Sequence, residues 1–333
     1  MTPSLRIAIA GAASLCGKEV VSVIEGSGFP PTDLRLLDDE AAEGVLTETG
    51  GEPGVIQCVD KDSFARVRFA FFTGSPAFTL RHWRQAAEAG ATVIDLSGAL
   101  RTEPGFISWI PALRTALATP RLAAGKLYHS PSAAGIIAST IAAGVREMGV
   151  TRLAIVLFQP VSERGQAGIE ELEKQTVNLL SLQPLTQDLY GAQIAFNLLG
   201  SYGSEGMETL AGVKAEIAAS VAAYLEGRAR LPAIQVVQAP VFHGYAFSAF
   251  AEFDGPREPT ELEAALEAAG VKIAARAAEV PNNVSVAGED QIVVGRIERD
   301  ANFPASLWMW GAADNLRLAA ANAVSIAETL LAS

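Results

Sequence analysis

The chain has 333 residues, half of them apolar, and this length fits two globular domains better than one. Its 25 Lys and Arg residues stand against 37 Asp and Glu residues, and the net charge of −12 repels nucleic-acid phosphates and anionic lipid headgroups. Only two cysteines occur, and no apolar run approaches a membrane span in length. We therefore expect a cytoplasmic protein without nucleic-acid or membrane partners. The three histidines lack zinc-ligand spacing, so no metal is expected.

The first part of the chain alternates short apolar runs with helical patterns. Strands are predicted at residues 5–10, 34–37, 69–72 and 92–96, and helices at 15–25 and 82–89. Strands that alternate with helices favour a doubly wound parallel sheet of the α/β class. We assign residues 1–130 to this first domain.

After Pro131 the pattern changes to longer strands with fewer helices. A helix is predicted at residues 134–148 and an amphipathic stretch at 169–182. Strands are predicted at 153–158, 234–237, 246–253, 271–274 and 292–297. This order favours an α+β second domain over residues 131–315. Residues 316–333 form an Ala-rich helical segment that we expect to return to the first domain.

A candidate phosphate-binding turn connects the first strand to the first helix. Helix amides at such a turn can meet a pyrophosphate. Ser14 replaces the middle glycine of a GxxGxxG pattern, and a side chain there opposes close approach of the backbone. The small residues are equally explained by strand-to-helix packing. The candidate cofactor-binding residues of this turn are Gly11, Ala12, Ala13, Ser14, Leu15 and Gly17.

Two carboxylates follow the second predicted strand. Asp38 lies about 20 residues beyond the turn, where a carboxylate can accept a hydrogen bond from a ribose 2′-hydroxyl. Asp38 and Asp39 would repel a 2′-phosphate, so they predict NAD in preference to NADP. The alternative is a solvated acidic loop in a chain that binds no dinucleotide.

Four segments, in order and at family spacing, resemble aspartate-semialdehyde dehydrogenases. They are Val93-Ile-Asp-Leu-Ser-Gly-Ala-Leu-Arg101, Gln193-Ile-Ala-Phe-Asn197, Val294-Gly-Arg-Ile-Glu-Arg-Asp300 and Asp314-Asn-Leu-Arg317. The resemblance implies a Rossmann-type N-terminal domain, an α+β substrate and dimerisation domain, and Ser75 and Asn315 beside the dinucleotide. It implies NAD(P)-dependent reductive dephosphorylation of an aspartyl phosphate in amino-acid biosynthesis. In that reaction a cysteine thiolate forms a thioester and a histidine serves as the base.

The nucleophile and the base of that chemistry are both replaced here. In Ser130-Pro-Ser-Ala-Ala-Gly135 the cysteine position is Ala133, and in Val241-Phe-His-Gly-Tyr245 the histidine position is Tyr245. A register shift offers Ser132 as a nucleophile, although it is also a typical N-cap residue. His243 precedes Tyr245 by two residues, which places it on the same strand face either as a relocated base or as a packed or surface residue.

The groups that hold the substrate are only partly retained. Arg101 keeps a family arginine, and Gln159 matches the glutamine that orients substrate, although a buried structural amide would look the same. A second family arginine is replaced by Gln238. Its neutral amide cannot form the charged, bidentate hydrogen bonds that a guanidinium forms with a carboxylate. The family lysine position falls on Glu208 or Thr209, with Lys214 about a turn further along the chain.

Together these losses favour a non-catalytic scaffold or regulator, most similar to the cysteine-less Usg-like paralogues of the family. The resemblance implies a homodimer formed through the second domain, and a mixed dimer with an authentic family enzyme. One alternative is an NAD-dependent oxidoreductase of altered chemistry, in which Tyr245, Ser132 or His243 acts on a substrate that needs no thioester. Another is a ligand-binding module that uses the cleft without NAD.

Overall fold

The computed structural model describes residues 5–28, 32–49, 52–118, 125–275 and 279–332. The chain divides into two compact units. Unit 1 comprises Met1–Pro111, Pro120–Ser132 and Ala319–Ser333, and unit 2 comprises Ala112–Thr119 and Ala133–Leu318. Within the described ranges, no helix combines the length and the apolar character that crossing a membrane requires.

Unit 1 is built on a seven-stranded sheet in the order β5-β2-β1-β6-β7-β9-β8, with every neighbouring pair parallel. A separate antiparallel hairpin is formed by β3 and β4. The strands are β1 (Arg6–Ala10), β2 (Asp33–Asp38), β3 (Leu46–Thr49), β4 (Glu52–Val55), β5 (Gln57–Cys58), β6 (Phe69–Phe72), β7 (Thr92–Asp95), β8 (Ile107–Ser108) and β9 (Leu127–His129). The helices are α1 (Leu15–Gly26) and α2 (Pro76–Glu88).

The period-2 pattern of β1 explains why helices cover both faces of this sheet. Ile7 and Ile9 share a buried cluster with α1 and with the C-terminal helix, whereas Ala8 and Ala10 share one with α2. The central strand β6 is fully buried along its length, and burial of each large side chain contributes about 1.5–3 kcal/mol. The predicted doubly wound α/β class is confirmed.

Unit 2 is built on a six-stranded mixed sheet in the order β11-β10-β12-β15-β14-β13. The pairs β10·β11 and β13·β14 are parallel, and the remaining pairs are antiparallel. The strands are β10 (Val150–Gln159), β11 (Ala233–Gln238), β12 (Tyr245–Phe253), β13 (Lys272–Ile273), β14 (Val293–Arg299) and β15 (Ser306–Ala313). The helices are α3 (Ala133–Gly144), α4 (Gly165–Leu180), α5 (Leu210–Leu225) and α6 (Pro259–Ala268), and α7 (Asn315–Leu331) follows β15.

The buried side of the second sheet is covered by an apolar helix. All twelve residues of α3 are buried, and α3 contacts α5, α6 and β10. Along β12, buried residues such as Phe247 alternate with partly exposed ones such as Phe250, so the strand has one covered face. The predicted combination of a Rossmann-type parallel sheet and an α+β second domain is confirmed.

Candidate functional site

The glycine turn, residues 11–17, lies between β1 and α1. Gly11 has φ +98°, and a Cβ at that position would overlap the backbone of Gly74, so only glycine fits. Ser14 has an ordinary φ of −67° and caps the helix, because its Oγ accepts from the Gly17 amide at 2.9 Å. The same Oγ donates to the Thr73 carbonyl at 2.9 Å. The serine therefore fits the turn without backbone strain.

The carboxylate after β2 is attached to this turn. Asp38 accepts from the Ala13 amide and from the Asp39 amide, each at 2.8 Å, with a different oxygen for each bond. Asp39 forms an exposed ion pair with Arg81 at 2.7 Å. The negative charge next to the turn is thus partly compensated by a cation that sequence reasoning did not identify.

The other predicted residues of unit 1 lie after neighbouring strands. Ser75 caps α2, with its Oγ accepting from the Phe78 amide at 3.2 Å. After β7, the buried carboxylate of Asp95 accepts from the Ser97 hydroxyl and from the Leu100 amide, and this arrangement shapes the loop that ends at Arg101. The Arg101 side chain is exposed.

The Ser130–Gly135 run leads into the buried helix α3. Ala133 is the first residue of α3 and is 2% exposed. Ser132 precedes the helix and is exposed. The position that the resemblance assigns to the nucleophile therefore presents only a methyl group.

A set of four side chains in unit 2, here called the glutamine–tyrosine cluster, consists of the buried Gln159, Gln238 and Tyr245 and the partly buried Tyr202. The Gln159 amide donates from Nε2 to the Tyr202 hydroxyl and to Gln238 Oε1, each at 3.3 Å. The Tyr245 hydroxyl donates to Gln159 Oε1 at 3.3 Å. Gln238 accepts from Tyr202 at 2.8 Å and donates to two backbone carbonyls, of Gln159 and Ala239. The two amides thus satisfy each other and the two hydroxyls.

A buried asparagine connects this cluster to the turn after β10. Asn315, 1% exposed, accepts from the Gly244 amide at 2.9 Å and donates to Ser162 and to Glu163, the latter at 2.8 Å. Burial raises the pKa of Glu163, while its bonds to Asn315 and Tyr245 lower it. Burial and the nearby Glu163 carboxylate raise the pKa of Tyr245 well above 10, so its hydroxyl keeps the proton.

The expectation that His243 shares a strand face with Tyr245 is wrong. Strand β12 begins at Tyr245, and His243 lies before it in a turn. Gly244 has φ +81°, a left-handed conformation that changes the chain direction between the two residues. The His243 side chain is exposed, whereas Tyr245 is fully buried.

The residues near the expected lysine position have other partners. Glu208 forms an ion pair with Arg164, Thr209 caps α5, and Lys214 donates to Gln235 on β11 at 3.3 Å. Sequence reasoning missed Glu163 and Arg164, although both lie shortly after Gln159 in the chain. Over the described ranges, no group of three His, Cys, Asp or Glu side chains is arranged to hold a metal ion.

Two family models cover most of the chain. Residues 6–139 match the model described as semialdehyde dehydrogenase, NAD binding domain, and residues 143–318 match the one described as semialdehyde dehydrogenase, dimerisation domain. Proteins named USG-1 protein homolog are 30% identical in Azotobacter vinelandii, over 337 residues, and 32% identical in Pseudomonas aeruginosa, over 340 residues. In both cases 99% of each chain is covered.

Solved structures agree with these matches. A probable aspartate-semialdehyde dehydrogenase from Pseudomonas aeruginosa superposes with a TM-score of 0.84 at 30% identity, covering 98% of both chains. Aspartate semialdehyde dehydrogenase II from Vibrio cholerae, complexed with ASA, gives a TM-score of 0.87 at 27% identity, covering 100% of this chain and 99% of that one.

The parallel sheet with its glycine turn and the mixed sheet that follows define a two-domain protein of the dinucleotide-binding class. Within that class, the chain belongs to the semialdehyde dehydrogenase family. The resemblance to aspartate-semialdehyde dehydrogenases and to the Usg-like proteins is confirmed.

Proposed function

We propose that this chain is a non-catalytic member of the semialdehyde dehydrogenase family with a scaffold or regulatory role. The observation that carries the proposal is Ala133 at the start of α3, where the resemblance implies the family nucleophile and the chain has only a methyl group. Thioester chemistry needs a thiolate there and a base beside it. Tyr245 keeps its proton and Gln238 is held by four hydrogen bonds, so neither replaces the family base or arginine.

The test is phosphate-dependent oxidation of aspartate semialdehyde by the wild type, by A133C and by the triple variant A133C/Y245H/Q238R. We expect no turnover by the wild type or by A133C, and measurable turnover by the triple variant, because it restores nucleophile, base and arginine together. Wild-type turnover that is abolished by Ser132→Ala would contradict the proposal and establish a serine mechanism instead.

A second candidate function is NADH-dependent reduction of a free carbonyl, which needs a proton donor and no thioester. It is favoured by the Tyr245 hydroxyl, which keeps its proton and bonds to both Gln159 and Glu163. The diagnostic variant is Tyr245→Phe, which preserves the ring. NADH-dependent reduction that is lost in Y245F would support this candidate over the non-catalytic one.

The residues of the glycine turn fit a dinucleotide, and we propose NAD in preference to NADP. Ser14 directs its hydroxyl to Gly17 and Thr73, and Asp38 stands at the end of β2, where a ribose hydroxyl would be bound. When bound, the nicotinamide cofactor supplies or accepts a hydride. Calorimetric titration with NAD, NADH, NADP and NADPH tests the preference, and tighter binding of NADP than of NAD would exclude it.

For partners, we propose a homodimer formed through unit 2, which the dimerisation-domain match supports. The uncovered side of the mixed sheet carries aromatic side chains, including Trp308 at 38% exposure, and Phe303 near it is 59% exposed. A mixed dimer with an active family enzyme would give the chain its regulatory role. Light scattering tests the homodimer, and co-purification from the native cell tests the mixed dimer. The low cysteine count supports a cytoplasmic location.

A further inference from the structure

Arg164 is mostly buried, and one edge of its guanidinium has no hydrogen-bond partner among the described residues. It ends the short 3₁₀ helix Val161–Arg164 after β10, and its side chain is 14% exposed. Nη1 pairs with Glu208, whereas Nε and Nη2 are buried and have no hydrogen-bond partner among the described residues. Nε and Nη2 form one edge of the guanidinium, with two parallel N–H donors spaced to match the two oxygens of a carboxylate.

A third donor without a partner lies in the same part of unit 2. Tyr190 is fully buried, and its hydroxyl has no hydrogen-bond partner among the described residues. Its ring packs edge-on against Tyr202, with ring centroids 5.2 Å apart, and the Arg164 guanidinium lies 5.9 Å from the Tyr202 centroid. Tyr202 therefore has the arginine and Tyr190 as neighbours.

Unpartnered buried donors destabilise a fold, so native proteins keep few of them. Three such donors around Tyr202 call for an acceptor that the described part of the chain does not supply. Three carboxylates in this part of the unit have other partners. Glu208 pairs with Nη1, Glu163 bonds to Asn315 and Tyr245, and Glu171 accepts from the Leu189 amide. An acceptor from another molecule would satisfy these donors.

We propose that Arg164 and Tyr190 bind the carboxylate of a small molecule, with the Nε–Nη2 edge receiving both oxygens and the Tyr190 hydroxyl donating a third hydrogen bond. The charge balance favours a singly charged carboxylate group over a phosphate dianion, because the Glu208 carboxylate already pairs with the same guanidinium. Glu208 is 55% exposed and marks the solvent side from which the ligand enters. Binding needs no turnover, so this site stands apart from the lost thioester chemistry.

The test is titration of the full chain with succinate, acetate, inorganic phosphate and chloride at constant ionic strength, followed by calorimetry and by thermal shift. We expect the carboxylates to bind and to raise Tm. Arg164→Gln should weaken succinate binding about tenfold or more, because hydrogen bonds to a charged group are lost. Tyr190→Phe should weaken it about two- to tenfold, since one neutral hydrogen bond is lost. Glu208→Gln should strengthen it, because a competing carboxylate is neutralised.

The controls are Arg152→Gln and Glu252→Gln, which alter an ion pair of the same unit at 3.1 Å, with the arginine 80% exposed. Neither should change succinate affinity. Tyr190→Phe keeps the buried ring, so it tests the site even where Arg164→Gln fails to fold. Three outcomes overturn the proposal: no carboxylate binding by the wild type, equal binding by wild type and Y190F, or a response to phosphate or chloride that equals the response to succinate.

Discussion

The glycine turn of unit 1 and the glutamine–tyrosine cluster of unit 2 each contain a residue that differs from the one the resemblance implies, and the two differ in what that residue contacts. Ser14, at the middle position of the GxxGxxG pattern, has an ordinary φ and caps α1, so the turn accepts a side chain there without backbone strain. Gln238 lies where the resemblance implies an arginine, and its amide is engaged by Gln159, Tyr202 and two carbonyls. A turn made by backbone amides therefore tolerates such a side chain, whereas under our proposal a site made by side chains loses the family chemistry even though its residues are well packed.

The largest loss of stability that we predict follows from a substitution that distorts the backbone of the glycine turn. Gly11→Ala should destabilise the protein by about 3 kcal/mol or more, because the new Cβ combines a left-handed φ with overlap on Gly74. Gly26→Ala is the matched control, since Gly26 ends α1 with open space around its Cα, and it should be neutral or stabilising by up to about 1 kcal/mol. Chemical denaturation of both variants measures the difference. Equal midpoints for the two variants would show that the turn is not constrained as described.

The next largest loss of stability follows from removing hydrogen bonds of the glutamine–tyrosine cluster. Gln238→Leu should cost about 2–3 kcal/mol, because Tyr202 and Gln159 each lose a buried hydrogen-bond partner. Gln235→Leu on the same strand is the control, since Gln235 is exposed and a surface change should stay within about 0.5 kcal/mol. If Q238L unfolds at the same denaturant concentration as Q235L, the cluster does not contribute to stability.

Much of the fold could be predicted because burial leaves a periodic signal. The fully apolar run Phe69–Phe72 was predicted with the bounds that β6 has. Helix α5 was missed because its exposed side is rich in alanine, so apolar residues lie all round the helix and no amphipathic stripe marks it. Helix α6 was also missed, although Glu258, Pro259 and Glu261 form a capping box with a proline at its start, and that signal could have revealed it.

The candidate site was less predictable, because its hydrogen bonds join residues far apart in the chain. Gln159, Gln238 and Tyr245 were named from the resemblance. Nothing in the local sequence indicates that the side-chain amides of Gln159 and Gln238 bond to each other, since 79 residues separate them. Glu163 and Arg164 resemble a solvated charged turn in sequence, and only the packing of Asn315 and Glu208 against them shows otherwise.

A smaller effect is the dependence of folding stability on pH through His129, a buried residue of unit 1. Burial first, and the Arg101 charge second, lower the pKa of His129 from 6.5 to about 3. The folded state then binds fewer protons than the unfolded chain, so the contribution of His129 is complete above about pH 6.5 and declines as the pH falls towards 3. The loss between pH 6.5 and pH 5 should be about 2 kcal/mol. His129→Gln should flatten this slope in urea unfolding, and parallel slopes for the two proteins would contradict the assignment.

The smallest effect tests whether Ser14 serves the fold or opposes the cofactor. Ser14→Ala should cost about 1 kcal/mol, because the Gly17 amide loses its cap, whereas Ser14→Gly should cost only a few tenths. The two variants differ in their predicted effect on NAD titration as well. If the Cβ of Ser14 obstructs the pyrophosphate, S14G binds NAD more tightly than the wild type and S14A does not. If both variants bind as the wild type does, the serine is a helix cap alone, and the turn keeps its dinucleotide function despite the lost glycine.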